Sequence, residues 1–178
     1  MKYLVIVNPT SRRGKAAAQI PLIEKKLREY ALDFDLVRTQ KAGHAIQLAA
    51  QAATDGYDVV IAAGGDGTLS EIVNGLMQAT PPDQLPAGPI GFVPFGTAND
   101  LTDMLAIPRD LDKVAQMFVD GHTTIIDLGR VNGRYFDNNS AIGLEPVITI
   151  MNIKLKWLKG VVRYMVSALL GILKNPKW

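Results

Sequence analysis

The sequence contains no cysteine and only two histidines among its 178 residues. Without cysteine, disulfide bridges and thiolate metal sites are excluded, and His44 and His122 have no partners at the spacing of a metal site. Two common phosphate-binding patterns are also missing, G-x-G-x-x-G and G-x-x-x-x-G-K-[ST]. No G-x-S-x-G motif is present, so a serine nucleophile at a strand-to-helix turn is not predicted either.

Acidic residues are absent from residue 150 to the C-terminus, where basic residues accumulate. The basic residues there are Lys154, Lys156, Lys159, Arg163, Lys174 and Lys177. The rest of the chain carries thirteen basic and seventeen acidic residues. This division argues against nucleic acid as a partner of the whole protein and predicts a local anionic partner.

A signal peptide is not evident, because Met1 leads directly into the apolar residues 3–7 without a basic segment before them. The sequence therefore predicts a cytoplasmic protein. Hydrophobic residues make up 48% of the chain, which is ample for a buried core.

Strand-like and helix-like segments alternate over the first two-thirds of the chain. The predicted strands, each apolar on both faces, are residues 3–7, 34–37, 59–63 and 90–93. The predicted helices are residues 16–30, 44–55, 69–79 and 111–119, with Pro21 in the first turn or at a kink of the first one. This alternation indicates an α/β fold, with a doubly wound, mostly parallel sheet covered by helices on both faces.

The pattern changes after Asp120, where β-strands joined by an Asn132-Gly133 hairpin turn are predicted. Residues 137–145 are interpreted as a further strand with a polar face, and the alternative is a segment that lines the cleft between the two domains. We therefore predict two domains, a nucleotide-binding α/β domain over residues 1–121 and the start of a β-rich domain over residues 122–178. The second is too short for a complete domain, so the chain is expected to be truncated.

The segment "GGDGTLSEIVNG", residues 64–75, carries the most information. Gly64 and Gly65 follow a predicted strand, at the sheet edge where ligands of such folds bind. Glycines without Cβ atoms let a phosphate approach the backbone N–H groups of Gly65 and Gly67, and a helix N-terminus favours an anion. The Asp66 carboxylate would repel phosphate, so its presence predicts a bridging Mg²⁺ or an orienting hydrogen bond.

A second glycine-led segment, "VPFGTAND", follows the next strand. We predict Thr68 as the N-cap of one helix, with Glu71 completing a capping box. Thr97 is predicted as the N-cap of the other, with Asp100 at its third helical position.

Two further strand ends point to the same edge. The first strand is followed by "NPTSRRGK", in which Arg12, Arg13 and Lys15 supply positive charge, and the second is followed by Thr39. Ordinary caps and turns would explain each glycine-led segment alone. Their coincidence with a basic loop favours a phosphate-binding crevice.

Together, "GGDGTLSEIVNG", "FGTAND" and "NPTSRRGK" resemble the diacylglycerol kinase catalytic domain family, which includes bacterial lipid kinases and sphingosine and ceramide kinases. "YFDNNSAIGLE", followed by a Lys-rich segment, resembles the start of the family's second domain. The resemblance spans essentially all of the chain, as the N-terminal part of the family's fold. It implies an ATP-binding α/β domain followed by a β-rich lipid-binding domain.

The resemblance also implies a site for ATP and Mg²⁺, with Asp66 as a catalytic residue that organises the Mg·ATP phosphates. The implied ATP-binding residues are Asn8, Thr39, Gly64, Gly65, Asp66, Gly67, Thr68, Leu69, Ser70, Glu71 and Thr97. The family's general base and further metal ligands lie late in its second domain, so no metal ligand is assigned in this chain. Ser70 departs from the family's usual Asn, and Glu145-Pro146 from its usual Asp-Ala.

The favoured function is an ATP-dependent lipid kinase that phosphorylates a lipid hydroxyl such as that of diacylglycerol. Two alternatives stay open: an NAD kinase-like enzyme, which shares the phosphate motif, and a non-catalytic nucleotide-binding fragment without a base. The basic tail favours the lipid enzyme. The sequence does not determine which lipid is phosphorylated, or whether ATP or another nucleotide is the donor. It does not determine the oligomeric state either, and a homodimer is one option.

The C-terminal tail allows two interpretations. Over residues 160–173, apolar positions surround a narrow stripe of Arg163, Ser167 and Gly171, and the run is shorter than a membrane span requires. One interpretation is a core helix. The other is a surface helix that contacts the bilayer, with the preceding lysines facing anionic head groups.

Overall fold

The computed structural model describes residues 1–14, 16–81, 84, 88–96, 99–141, 143–155 and 157–174, with only the backbone for Arg12 and Arg13. Lys15, Thr97, Lys156 and Lys177, which the sequence analysis singled out, lie outside the described residues. The chain divides into two compact units, Met1–Asn138 and Asn139–Trp178. The domain boundary predicted at residue 121 stays a prediction.

The first unit is built on a four-stranded parallel sheet with the strand order β2-β1-β3-β4. Its strands are β1 (Lys2–Val7), β2 (Asp33–Arg38), β3 (Val59–Gly64) and β4 (Ile90–Pro94). Strand β1 has β2 on one side and β3 on the other, both in parallel register. The connections therefore reverse direction between β1 and β3, which creates a topological switch point at their carboxyl ends.

Helices cover both faces of this sheet, because each strand sends alternate apolar side chains to opposite sides. The helices are α1 (Ile20–Glu29), α2 (His44–Ala52), α3 (Asp66–Ala79), α4 (Asp100–Met104) and α5 (Leu111–Asp120). Side chains of α1 and α5 pack with Val5 and Ile61, whereas those of α2 and α3 pack with Ile6 and Ala62. The predicted doubly wound α/β fold is confirmed.

The first helix begins later than predicted. A short 3₁₀ turn, Ala17–Gln19, precedes α1, and Pro21 lies in the first turn of α1. Proline is tolerated there because its missing N–H would have no intrahelical acceptor at that position.

The predicted hairpin is confirmed as β5 (Gly129–Val131) and β6 (Arg134–Phe136). Its turn residues both have positive φ, 49° at Asn132 and 78° at Gly133, as a type I′ turn requires. The strand predicted over residues 137–145 is wrong: its described residues contain no strand, and a helix begins at Leu144. Gly143, at φ 90°, directly precedes this helix.

The second unit contains the helices α6 (Leu144–Lys154) and α7 (Gly160–Lys174). The small residues of α7 face α6, since a Cβ on Gly171 would lie 3.0 Å from the Ile148 Cγ1 atom. The Ser167 side chain is fully buried and its hydroxyl donates to the Arg163 carbonyl oxygen at 2.7 Å. None of the helices in the described residues is long and apolar enough to cross a membrane.

Candidate functional site

A cavity of about 480 Å³ opens at the carboxyl ends of β1 and β3, at the switch point of the sheet. Of the predicted site residues, those lining it are Asn8, Thr39, Gly65, Gly67, Thr68 and Glu71. The cavity is also lined by residues that were not predicted as ligands, namely Thr10, Ser11, Gln40, Lys41, Ala42, Ala45 and Gly96. The rule that selected Thr39, its position after β2, applies equally to Gln40 and Lys41.

Four predicted residues are not part of the cavity wall. Leu69 is a core residue with 3% exposure, and Gly64 ends β3, where its carbonyl oxygen accepts the Phe95 N–H at 2.6 Å. Asp66 and Ser70 lie in the first turns of α3. The role of these residues in nucleotide binding stays a prediction, as does that of Thr97 outside the described residues.

The glycines near the cavity do two different things. A Cβ on Gly65 would lie 2.9 Å from the Cα atom of Gly96, so these residues let the loops after β3 and β4 pack backbone to backbone. A Cβ on Gly67 would meet nothing within 4 Å. Gly67 therefore leaves the first turn of α3 open to a ligand, whereas Gly65 serves the packing between the two loops.

Both predicted capping boxes are wrong. Helix α3 begins at Asp66 with Gly65 as its N-cap, so Thr68 lies inside the first turn, with 4% exposure. Helix α4 begins at Asp100, which is its first residue rather than its third. In the described part of the chain, no side chain caps the start of α3, whereas the start of α4 is satisfied by a side chain from another helix.

The Asp66 carboxylate satisfies the start of α4. Its Oδ2 and Oδ1 atoms accept the backbone N–H groups of Asn99 and Asp100, each at 2.8 Å. Asn99 has φ 56°, and its side-chain amide donates to the Gly96 carbonyl oxygen at 3.1 Å. Of the two roles predicted for Asp66, the structure shows the orienting hydrogen bond.

The Asn8 side chain connects the end of β1 to α3. Its Nδ2 donates to the Thr68 Oγ1 atom at 3.2 Å, and its Oδ1 accepts from the backbone and hydroxyl of Thr10 at 3.0 and 2.8 Å. These bonds hold polar groups from β1 and α3 on the same wall of the cavity.

The Glu71 carboxylate satisfies the start of α2 rather than that of its own helix. Its Oε1 accepts the Gly43 N–H at 2.9 Å, and its Oε2 accepts the Ala45 N–H at 3.2 Å. On the other side of the same loop, the His44 Nδ1 atom accepts the Gln40 N–H at 3.1 Å. The loop that carries Lys41 is thus held at both ends.

The last polar residue of the motif, Asn74, holds the β5–β6 hairpin. Its Oδ1 accepts the Tyr135 N–H and its Nδ2 donates to the Tyr135 carbonyl oxygen, both at 2.9 Å. The neighbouring Gly75 lets α2 approach closely, because a Cβ there would collide with the Ile46 carbonyl oxygen. The segment Gly64–Gly75 therefore contacts four parts of the first unit: the loop between β4 and α4, the end of β1, helix α2 and the β5–β6 hairpin.

The hairpin brings one more carboxyl group towards the motif. Burial raises the pKa of Asp137 above its ordinary value of 3.8, and the negative charge of Asp66 raises the pKa further. The sequence alone places Asp137 in a polar strand or in a cleft lining, because its proximity to Asp66 depends on the contact between Asn74 and Tyr135.

The acidic side chains do not converge into a metal centre on their own. In the part of the chain that the structure describes, no group of three or more His, Asp or Glu side chains could hold a metal ion. Mg²⁺ is commonly held by one or two carboxylates together with the phosphates of a nucleotide. Asp66 fits such a role, because each of its oxygens accepts one backbone N–H and keeps a further lone pair.

The chain is similar in sequence to known diacylglycerol kinases. The family model of the diacylglycerol kinase catalytic domain matches residues 2–131. The chain is 37% identical to a diacylglycerol kinase of Staphylococcus aureus (strain bovine RF122 / ET3-1) over 164 residues, covering 92% of this chain and 50% of the relative. A diacylglycerol kinase of Staphylococcus saprophyticus is also 37% identical, with 92% and 52% covered. The chain thus spans about half the length of these curated relatives.

Solved structures of diacylglycerol kinases also match this chain. A crystal structure described as a diacylglycerol kinase from Bacillus anthracis str. Sterne matches with a TM-score of 0.64 and 28% identity, covering 76% of this chain and 47% of that one. A second structure from the same organism matches with a TM-score of 0.70 and 27% identity, covering 89% and 56%. With the cavity at the switch point and the motif that builds it, these matches show that the chain belongs to the diacylglycerol kinase catalytic domain family.

Proposed function

We propose that this chain is the nucleotide-binding part of an ATP-dependent lipid kinase, which transfers the γ-phosphoryl group of ATP to a lipid hydroxyl such as that of diacylglycerol. The observation that supports it most is the open first turn of α3, where Gly67 places no side chain between the helix N-terminus and the cavity. An anion is favoured there by the free N–H groups and by the helix dipole.

The residues of the cavity wall suit the binding of phosphate groups. Hydroxyl groups come from Thr10, Ser11 and Thr39, and Lys41 adds a positive charge. Phosphoryl transfer depends mainly on positioning and on neutralising charge, so fixed backbone and hydroxyl donors are well suited to it. Mg²⁺, when bound with the nucleotide, would neutralise phosphate charge, with Asp66 as the residue of this chain that could hold it.

In the proposed reaction, the lipid hydroxyl oxygen forms a bond to the γ-phosphorus, the bond to the β,γ-bridging oxygen breaks, and ADP leaves. The hydroxyl proton must pass to a general base. Among the described residues that line the cavity, Glu71 supplies a carboxylate, but both of its oxygens already accept backbone N–H groups. Because these bonds hold the start of α2, we assign Glu71 a structural role and leave the base unassigned.

We also propose that the lipid is met at a membrane surface, through the basic second unit. Lys154 and Lys159 are exposed and carry the positive charge, and Trp157 between them is 75% exposed. Exposed lysines near a tryptophan are typical of a contact with an anionic bilayer.

Calorimetric titration with Mg·ATP tests nucleotide binding by this chain, with NAD as the competing ligand. Transfer of radiolabelled phosphate to diacylglycerol, by a protein extended to the length of the curated relatives, tests the lipid kinase. Binding of ATP and labelling of the lipid would support the proposal. Labelled NADP would instead support the NAD kinase-like alternative, and nucleotide binding without any transfer would support the non-catalytic one.

A further inference from the structure

The loop of residues 40–43 forms one wall of the cavity, and its shape is held by side chains outside it. Gln40, Lys41 and Ala42 all line the cavity. The loop is fixed at its start by the bond from the Gln40 N–H to the His44 imidazole, at 3.1 Å, and at its end by the bond from the Gly43 N–H to Glu71, at 2.9 Å.

Glu71 can hold this loop because of where α3 lies. It is a residue of the second turn of α3, and α3 packs along α2 at the close approach of Gly75. A single carboxylate accepts N–H groups from both sides of His44, at Gly43 and at Ala45. The first residues of α2 lack intrahelical acceptors, so an anionic acceptor there is stabilising.

Lys41 is the cationic side chain among the described residues that line the cavity. It belongs to the loop that Glu71 and His44 hold, and it lines the same cavity as Gly67 in the open first turn of α3. An ammonium group is a point charge that binds phosphate without a strict geometry. Its contribution depends on the loop keeping it close to the anion.

Resting on the nucleotide site proposed above, we propose that Lys41 binds an anionic phosphate group of the nucleotide, and that Glu71 is a positioning residue that holds the loop of Lys41 in place. Glu71 then affects binding through the loop and makes no contact of its own with the nucleotide. This differs from the role that the family resemblance implied, in which Glu71 is one of the ATP-binding residues.

The role of Glu71 in holding the loop is measured without any ligand, by hydrogen exchange of the backbone amides in the full chain. Glu71→Ala removes both acceptors, and it should speed exchange at Gly43 and Ala45 by about tenfold or more, whereas Glu71→Gln should have a smaller effect because its amide oxygen still accepts one bond. Glu29→Gln, on the exposed side of α1, is the matched control. Unchanged exchange at both amides in Glu71→Ala would overturn the positioning role.

The role of Lys41 is measured by titrating the full chain with ATP and with adenosine, which lacks phosphate. Lys41→Gln should weaken ATP binding by about fivefold to tenfold at low salt and leave adenosine binding unchanged, and Lys41→Arg should restore most of the loss. Lys113→Gln, an exposed lysine on α5, is the control. Equal losses for ATP and adenosine, or no loss for ATP, would overturn the assignment of Lys41.

The link between the two residues is measured by combining the substitutions. If Glu71 acts through Lys41, Glu71→Gln should also weaken ATP selectively, and the double variant should bind ATP no worse than Lys41→Gln alone. Additive losses, or a loss of adenosine binding in Glu71→Gln, would mean that Glu71 contacts the nucleotide itself. If the wild-type chain binds no nucleotide, the proposed function and the assignment of Lys41 both fail, whereas amide exchange still decides whether Glu71 holds the loop.

Discussion

The Asp66 carboxylate accepts the backbone N–H of Asn99 at 2.8 Å, and so joins the start of α3 to the start of α4 across 33 residues of sequence. Asp66 is also the first residue of α3, where a negative charge is favourable. One carboxylate thus stabilises two helix N-termini at the carboxyl edge of the sheet. This explains why an acidic side chain stands among glycines beside a site that is suited to phosphate.

The first prediction concerns this carboxylate. Asp66→Asn keeps one acceptor but places an NH₂ group against a backbone N–H, so the free energy of unfolding should fall by about 1 kcal/mol. Urea denaturation measures the change, with the exposed Asp55→Asn as the control. In a protein of the relatives' full length, turnover should fall more than nucleotide affinity. Unchanged stability, together with unchanged amide exchange at Asn99 and Asp100, would contradict the capping role.

The second prediction separates the two glycines of the motif. Gly67→Val should weaken Mg·ATP binding by about tenfold or more while the fold is retained, because the new side chain enters open space beside the helix N-terminus. Gly65→Val should weaken binding too, but it should also destabilise the fold by about 1–3 kcal/mol, because its Cβ would be forced against Gly96. Calorimetric titration paired with thermal unfolding distinguishes the two effects. Unchanged affinity in both variants would refute the binding of phosphate at the open first turn of α3.

The third prediction concerns Asn74, which is 3% exposed. Asn74→Ala should lower the free energy of unfolding by about 1–3 kcal/mol, since both the N–H and the carbonyl of Tyr135 lose their partner. Asn74→Asp should lower the free energy of unfolding at least as much at neutral pH. Its carboxylate still accepts the Tyr135 N–H, but its second oxygen would face the carbonyl oxygens of Ser70 and Tyr135. Denaturant unfolding measures both variants. A fully stable Asn74→Asp protein would contradict this geometry.

The sheet and its helices could be predicted because their signals are local. Each strand shows a short run of apolar residues, and the turn at Asn132-Gly133 needs only its own two residues. The caps could not be predicted this way. Glu71 has the spacing of a capping box with Thr68, yet its carboxylate is bound by Gly43 and Ala45, from an element 26 to 28 residues earlier in the chain.

The residues that line the cavity could likewise be predicted only in part from local signals. Asn8, Thr39 and Gly65, which follow strands β1, β2 and β3, line the cavity at the switch point, as the edge rule predicts. That rule cannot tell a residue such as Gly67, which faces the cavity, from Leu69, which lies in the core two positions later. The direction in which each side chain points from the helix decides between them. The predicted helix began only at Leu69, whereas α3 begins at Asp66.

The fourth prediction concerns the pH dependence of stability. Burial and the charge of Asp66 raise the pKa of Asp137 above 3.8, so the folded protein bears a cost when this carboxyl ionises. This cost is absent at pH values well below 3.8 and is complete at pH values above the raised pKa. Asp137→Asn should therefore raise the free energy of unfolding at pH 7, and the gain should shrink as the pH falls towards 4. Denaturant unfolding across this pH range measures it, with the exposed Asp33→Asn on β2 as the control. A destabilised variant at pH 7 would instead show that the Asp137 carboxylate makes a stabilising contact.

The last prediction concerns the second unit, where the stripe of Ser167 and Gly171 on α7 faces α6. The larger apolar side chains of α7 are accordingly exposed, Val161 by 74% and Leu173 by 72%. Such a surface suits either a core helix, covered by further protein, or a contact with the bilayer. The preceding lysines favour the bilayer, at about 1 kcal/mol for each one close to an anionic surface.

Sedimentation with liposomes separates these two interpretations, using a protein extended to the relatives' length. If this unit contacts the membrane, the protein should sediment with anionic vesicles and not with neutral ones, and added salt should weaken the binding. Replacing Lys154, Lys156 and Lys159 by Gln should abolish sedimentation, whereas Lys25→Gln on α1 should not. Equal sedimentation with neutral vesicles, or none with anionic vesicles at low salt, would leave the core helix as the role of α7, because attraction between the lysines and anionic lipid is strongest at low salt.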